Sequence, residues 1–193
     1  MAEPEVRERI LAEATRLFAE RGFGGASVRE IVEAAGVTKP VLYYHYGNKE
    51  GLFLETVRHH MDRLGQVMTD AIAGDEPVPV RLQRFLTAYL DWLSAHEHAL
   101  KLLVACRHTP EGGQPEVDMM SMHRQHGELL AGLLAQGVAQ GTIRADLNPQ
   151  DLVMGLIGMA NIFCMARMFG AIPSDADHPQ RILDLFLHGA APR

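Results

Sequence analysis

The chain has 193 residues, a mass of 21.3 kDa, 47% hydrophobic residues and a formal net charge of -6. That length suits one domain or two small packed ones, and the apolar content excludes a disordered chain. The first 50 residues carry seven Lys/Arg against eight Asp/Glu, which excludes a bulk basic surface as the means of holding a polyanion.

Taken in order, Pro4 and Glu5 mark a helix start, and Ile10, Leu11, Ala14, Leu17 and Phe18 recur at helical spacing. Gly22 ends this helix, and GFGG turns the chain. The apolar stripe reads as core that clamps the next segment from behind. Arg7 is placed either to touch a phosphate or to stay solvated. The N-terminus MAEPEVRERI has no apolar run of the kind a secretory signal needs.

Residues 26–53, ASVREIVEAAGVTKPVLYYHYGNKEGLF, hold the most specific pattern. Ser27 and Glu30 form an S-x-x-E capping box that opens a helix with Val28, Ile31, Val32 and Ala35 on one face. Gly36 stands where this helix must stop, a position that favours positive φ. Thr38 is the next N-cap, and Pro40 is tolerated in the first turn because no intrahelical amide bond is required there. The helix it opens, from about Lys39 to His45, is expected to turn Val41 and Leu42 inward. Asn48 follows a break at Gly47 and caps a further helix with Lys49 at its mouth. Two short helices joined through a glycine turn make a helix-turn-helix. The second exposes Thr38 and Lys39, which can touch base edges, and Tyr43, Tyr44 and His45, of which the tyrosine hydroxyls can donate to phosphates. Tyr46, and one of Tyr43 and Tyr44, can equally serve as an inward plug, but four such residues in a row cannot all face inward. Residues 34–49 contain Lys39 and Lys49 and no acid.

The run VREIVEAAGVTKPVLYYHYGNKEGLF, preceded by LFAERGFGGASV, resembles the DNA-binding signature of the TetR family of bacterial transcriptional regulators over roughly residues 7–57. Two positions depart from it: Tyr46 stands where Phe is usual, and Gly51 where a helix former is common. Gly51 is expected to loosen its helix by roughly 1 kcal/mol relative to Ala. The resemblance implies an all-α fold with a three-helix DNA-binding domain over residues 1–47 and a helical effector-binding and dimerisation domain over residues 48–193. The candidate DNA contacts are Ser27, Thr38, Lys39, Pro40, Tyr43, Tyr44, His45 and Lys49. The implied partners are a double-stranded DNA operator and a second copy, held through the last two helices. Such a dimer sets two recognition helices about one DNA turn, roughly 34 Å, apart on a pseudo-palindrome.

Further along, a fourth helix from Asn48 carries Phe53, Val57, His60, Leu64, Val67 and Ala71 as its stripe, with Gly74 past its end. It is the continuous link between the reading head and the rest. A fifth helix near Val80 to Ala95, a sixth from Glu97 to Cys106 and a seventh from about Glu116 to Ala139 follow, with TPEGGQP as a loop before the seventh. Asn148-Pro149 opens an eighth helix that is apolar nearly all round. Gln150, Asp151, Asn161 and Arg167 interrupt it too often for a membrane span, so no membrane partner is expected. It reads instead as a helix buried on two sides, one toward a partner subunit, with Gly155, Gly158 and Ala160 permitting close approach. After AIPSDADHP, a ninth helix carries Ile182, Leu183, Phe186 and Leu187. No strand pattern or repeat appears.

Cys106 and Cys164 lie in separate apolar helices without metal-ligand spacing and read as buried thiols of a reducing cytoplasm. Met119, Met120, Met122, Met154, Met159, Met165 and Met168 suit an adaptable apolar pocket and equally ordinary core filling. The candidate contacts for a small hydrophobic effector are Phe85, Tyr89, Trp92, Met120, His123, Asn161 and Met165. Asn161 and Arg167 are either ligand anchors or interface hydrogen-bonders. His96, His98, His108, His123 and His126 raise an enzymatic reading, with His123 and His126 at the i, i+3 spacing of metal ligands. No carboxylate completes an E-x-x-H arrangement and no H-E-x-x-H is present, so no metal site, catalytic residue or cofactor is expected. The favoured function is a repressor released from its operator by an effector. The alternatives are a related regulator controlled by a protein partner or activating with its ligand, and, remotely, a helical metalloenzyme.

Overall fold

The computed structural model describes residues 3–106, 113–173 and 177–190; His108, most of TPEGGQP, residues 174–176 and the Met122 side chain lie outside the described residues. Among the described residues all regular structure is helical: α1 (Glu3–Gly25), α2 (Val28–Ala35), α3 (Lys39–Tyr46), α4 (Lys49–Ile72), α5 (Val78–Ala95), α6 (Glu97–Ala105), α7 (Met119–Ala139), α8 (Pro149–Met168) and α9 (His178–Ala190). The chain forms two compact units, residues 1–63 with 96–119 and residues 64–95 with 120–193. Helix α4 is continuous through both.

In the first unit, α1 supplies Ile10, Leu11, Ala14, Leu17 and Phe18 to the core, all buried as their spacing predicts. Gly22 leaves helical geometry at φ 68° and ψ 174°, a backbone state that a side chain would resist. The kink lets Phe23 join Phe18 and Phe53 in a triangle of rings, with centroids 5.2 to 6.1 Å apart. Edge-to-face pairs of this kind add about 0.5–1.5 kcal/mol beyond area burial. Helix α6 packs on α1 and buries Ala99, Leu100, Leu102 and Leu103. The Thr15 hydroxyl donates to the Leu11 carbonyl at 2.7 Å and lies 2.8 Å from Nε2 of His60. Burial first, and then the nearby His59, His96 and Arg63, push the His60 pKa down from 6.5 to about 4.

The second unit is built around α5, which buries Val78, Leu82, Phe85, Leu86, Tyr89, Leu90, Trp92 and Leu93 and packs against α8 and α9. The α4 helix has no basic residue in its last turn, and α5 supplies the missing donors to its orphan carbonyls. Arg84 donates through Nε to the Ala71 carbonyl at 2.5 Å and through Nη2 to the Ala73 carbonyl. Arg81 donates to the Ile72 carbonyl at 2.7 Å and to Oε1 of Gln136 on α7 at 3.0 Å. On the part of α4 in this unit, Val67 is only half-buried, whereas Leu64, Met68 and Ala71 are buried; Met61 is buried on the part of α4 in the first unit. Helix α8 buries Leu152, Val153, Leu156, Ala160 and Cys164. Its opposite side leaves Met154 at 74% and Phe169 at 72% exposure, with Gly155 and Gly158 facing open space. Despite the four polar residues expected to interrupt it, α8 is by length and composition alone apolar enough to cross a membrane, a test that the core helix of a globular protein also passes.

Gly51 overturns the expectation attached to it. A Cβ at this position would meet the carbonyl oxygen of Tyr46, which also accepts from the Asn48 amide at 2.8 Å. The obstacle is backbone and cannot rotate away, so the helix-propensity gain from Ala is outweighed by strain. Gly51→Ala is expected to lower the thermal midpoint by several degrees; a raised midpoint in calorimetry would refute this reading. His60 gives a pH dependence with a definite sign. Its folded pKa lies below its unfolded one, so the unfolded chain binds the extra proton between about pH 6.5 and 4. The stabilisation is complete above pH 6.5 and is lost as pH falls toward 4, by at most about 3 kcal/mol. Urea midpoints measured across that window should fall less steeply in His60→Gln than in the wild type.

Candidate nucleic-acid interface

The site begins with two local devices that set the direction of α3. At the first, Ser27 Oγ accepts from the Glu30 amide at 3.2 Å while the Glu30 carboxylate accepts from the Ser27 amide at 3.1 Å and hydroxyl at 2.7 Å. Arg21 adds a further bond to Glu30. These donors, the Ser27 hydroxyl foremost, hold the Glu30 carboxyl below its ordinary pKa. At the second, Gly36 turns the chain at φ 63° and ψ 38°, and the Val37 amide closes on the Val32 carbonyl at 2.9 Å. This is the left-handed stop that a glycine supplies at no steric cost.

Thr38 occupies the N-cap position of α3 with extended backbone, yet its side chain makes no capping bond. Its exposed hydroxyl is therefore not consumed by the helix. At the other end, Tyr46 is buried and donates its hydroxyl to the Arg7 carbonyl at 3.1 Å. Desolvation raises its pKa, so the phenol stays protonated as the donor. Leu42 and Tyr46 lie one turn apart and fix the inner face of α3. The opposite face then carries Pro40 and Tyr44, flanked by Lys39 and Tyr43 on one side and by Val41 and His45 on the other. Tyr44 is 79% exposed and Tyr43 45% exposed.

The eight predicted DNA contacts thus separate into two groups. Thr38, Lys39, Pro40, Tyr43 and Tyr44 are exposed and His45 half-exposed, all on or beside one helix. Ser27 and Lys49 brace the frame: the Ser27 hydroxyl is engaged in the capping box, and Nζ of Lys49 lies 4.3 Å from the centre of the Phe23 ring. Partial burial there lowers the Lys49 pKa. Arg7 is paired with Glu55 at 3.4 Å. Val41, expected inward, is only half-buried. With Val6, Pro40, Tyr44 and His45 it lines an open groove of about 390 Å³. Sequence reading missed Val6, whose signal is a lone β-branched residue among the charges of PEVRER. The arrangement can present phenols, a hydroxyl, one ammonium and an apolar recess to a polyanion, with no carboxylate in residues 34–49.

The effector candidates are only partly gathered. Phe85 and Tyr89 stack with ring centres 5.6 Å apart, and the Tyr89 hydroxyl donates to Oδ1 of Asn161 at 2.9 Å, joining α5 to α8. Asn161 therefore has a partner within its own chain. Trp92 lies one turn beyond Tyr89 on the same buried face of α5, and Met165 one turn beyond Asn161. Met120, at 76% exposure, stands apart from this group in solvent, and the hydrophobic α7 residues buried in this unit are Leu130, Leu133 and Leu134 instead. His123 is half-buried. The other candidate ligand on α7, His126, sets its ring against Gly65, where a Cβ would contact Nε2 at 2.5 Å. Among the described residues no three His, Cys, Asp or Glu side chains converge as a metal site.

Comparison with known proteins agrees with this architecture. The family described as bacterial regulatory proteins, tetR family, matches residues 10–56, and the family described as transcriptional regulator SbtR-like, C-terminal domain, matches residues 82–192. The chain is 29% identical over 152 residues to the transcriptional repressor KstR2 of Mycobacterium tuberculosis, covering 78% of this chain and 75% of that protein. It is 31% identical over 99 residues to the transcriptional activator FasR of Mycolicibacterium smegmatis, a match that spans 51% of this chain and 45% of FasR. The fold superposes on the transcriptional regulator FadR of Bacillus subtilis, solved in complex with stearoyl-CoA, with a TM-score of 0.79 at 19% identity, covering 94% of this chain and 98% of that one. The two family matches cover the helix-turn-helix head and the helical C-terminal region in turn, and the chain belongs to the TetR family of bacterial transcriptional regulators.

Proposed function

We propose that the chain acts in the cytoplasm as a homodimeric repressor, holding a pseudo-palindromic operator and releasing it when a small, largely apolar effector binds. The observation that carries the reading is the outward face of α3, where Thr38, Lys39, Pro40, Tyr43 and Tyr44 stand exposed while Leu42 and Tyr46 are buried. Residues 1–47 serve as the reading head, and residues 48–193 serve effector binding and dimerisation. The resemblance to KstR2 supports repression. The exposed side of α8 supports pairing of two copies through α8 and α9. Met154, Ile162 and Phe169 form an apolar stripe there, and Gly155 and Gly158 would let a second helix approach closely.

For the effector, Phe85, Tyr89, Trp92, Asn161 and Met165 remain the favoured contacts, with the Tyr89–Asn161 bond as their polar feature. FadR's bound stearoyl-CoA makes a long-chain acyl thioester the first probe. An effector works only through a difference in its affinity for the DNA-competent and DNA-released conformations. The match to FasR favours one second reading, a ligand-dependent activator. The two readings differ in whether the effector weakens or strengthens operator binding.

Selection of genomic fragments by the purified protein at fixed salt is expected to enrich a short inverted repeat. Tyr44→Ala and Lys39→Ala should each weaken binding to that repeat by about 1–3 kcal/mol while leaving the dimer intact. Unchanged binding in both variants would refute the assignment of α3 as the reading helix. Trp92, the one tryptophan of the chain, reports on the effector site directly. Titration with stearoyl-CoA should shift its emission and weaken operator binding together. Tyr89→Phe, which strands the Asn161 oxygen, should change the concentration needed for release and leave ligand-free operator affinity near wild type. Equal losses of both responses would identify a packing defect instead.

A further inference from the structure

We propose that the groove between the start of α1 and α3 receives the methyl group of a thymine, so that each operator half-site requires thymine at one fixed position. This rests on the DNA-binding reading and adds a base preference to it. The groove is lined by Val6, Pro40, Val41, Tyr44 and His45 and has a volume of about 390 Å³. Its surface is almost entirely carbon, contributed by two valine side chains, a proline ring with no N–H, and the Tyr44 and His45 rings.

A polar base edge placed there would lose its water without gaining a partner, at a cost that the neighbouring contacts would have to offset. Among the groups that B-DNA displays in its major groove, the thymine C5-methyl is the apolar one. A phosphate is a poor occupant for the same reason. Lys39 is on the far flank of Tyr44 by helical spacing, and Arg7, next to Val6, is turned to Glu55. The recess adjoins Tyr44, the most exposed aromatic residue of α3. Pro40, also lining the groove, is two residues from Thr38, so a base pair met by Thr38 brings its neighbour to the groove. The walls are stiff as well, because Pro40 has a fixed φ and the two valines are β-branched. Little side-chain entropy is lost when the methyl enters.

The test uses the inverted repeat recovered by fragment selection, with thymines replaced by deoxyuridine one symmetric pair at a time. Binding is read by fluorescence anisotropy at fixed salt, for the wild type, Val6→Ala and Val41→Ala, with thermal midpoints confirming that the variants are folded. One symmetric pair should weaken wild-type binding by about fourfold per half-site, the value of one buried methyl group. At that pair alone, the thymine-to-deoxyuridine ratio should fall toward one in the two variants. Insensitivity of every thymine overturns the proposal, and so does a ratio that both variants preserve, which would put the methyl against other residues. Failure to recover any bound fragment appears before deoxyuridine is used and removes the DNA-binding reading itself.

Discussion

The reading head depends on the burial of a single phenol. Tyr46 sits at the last position of α3, and its hydroxyl reaches back to the Arg7 carbonyl on α1 at 3.1 Å. Burying an aromatic ring is favourable only if its hydroxyl is satisfied, and this bond satisfies it. With Tyr46 and Leu42 fixed inward, the 3.6-residue period leaves Tyr44 no choice but solvent. The same bond ties α3 to the start of α1, where Val6 borders the groove. A phenylalanine at 46 could fill the space but would lack the hydroxyl that joins α3 to the Arg7 carbonyl of α1. The Tyr46 carbonyl also caps the turn into α4 and approaches Gly51. One residue thus orients the helix before it and constrains the first turn of the helix after it.

The second unit organises its polar bonds around α5 in a comparable way. Its first turns donate Arg81 and Arg84 to the carbonyls at the end of α4, and its later turns donate Tyr89 to Asn161 on α8. Guanidinium donors suit this task because several N–H groups lie in one plane and can meet successive carbonyls. Glu76 accepts from Arg84 at 2.8 Å, which holds its carboxyl below the ordinary range and closes the loop between α4 and α5. Phe85 lies between these two sets of bonds on the same helix.

Local chemistry was legible in the sequence, and long-range packing was not. The capping box at Ser27, the left-handed stop at Gly36 and the Asn48 cap all involve residues within a few positions of one another, so residue type and spacing determine them. Thr38 shows the limit of that logic: its position is right, but its hydroxyl makes no capping bond. Val41 was misplaced because an eight-residue helix offers too few turns for its periodicity to fix a face. On α4 the buried positions include Met61 and Met68, and Val67 is only half-buried, a one-position shift of the stripe that local periodicity does not settle. Gly51 was misjudged since propensity scales describe an isolated helix, whereas here the preceding turn occupies the Cβ position. Asn161 was read as a ligand anchor or an interface group, and its partner Tyr89 lies 72 residues away, beyond any local pattern.

The charge distribution explains how an acidic chain can still be suited to DNA. Most arginines of the first unit are committed to carboxylates: Arg7 and Arg58 to Glu55, Arg16 to Glu13 and Glu20, Arg21 to Glu30, and Arg29 to Glu33. Such exposed pairs contribute little to stability, but they cancel charge where it is not needed. Around α3 the pattern changes, because residues 34–49 hold no acid and Lys39 is left exposed. The N-terminus of α3 adds partial positive charge beside it. The resulting field is short-ranged, confined to one helix by screening within a Debye length of roughly 8–10 Å. A head built this way gains little from counterion release, which scales with the number of phosphates neutralised. On the proposed reading, the phenols, the apolar recess and the doubling that dimer symmetry provides would supply the affinity instead. Contacts of that kind depend on shape and base identity, so on this reading DNA of the wrong sequence would be held weakly.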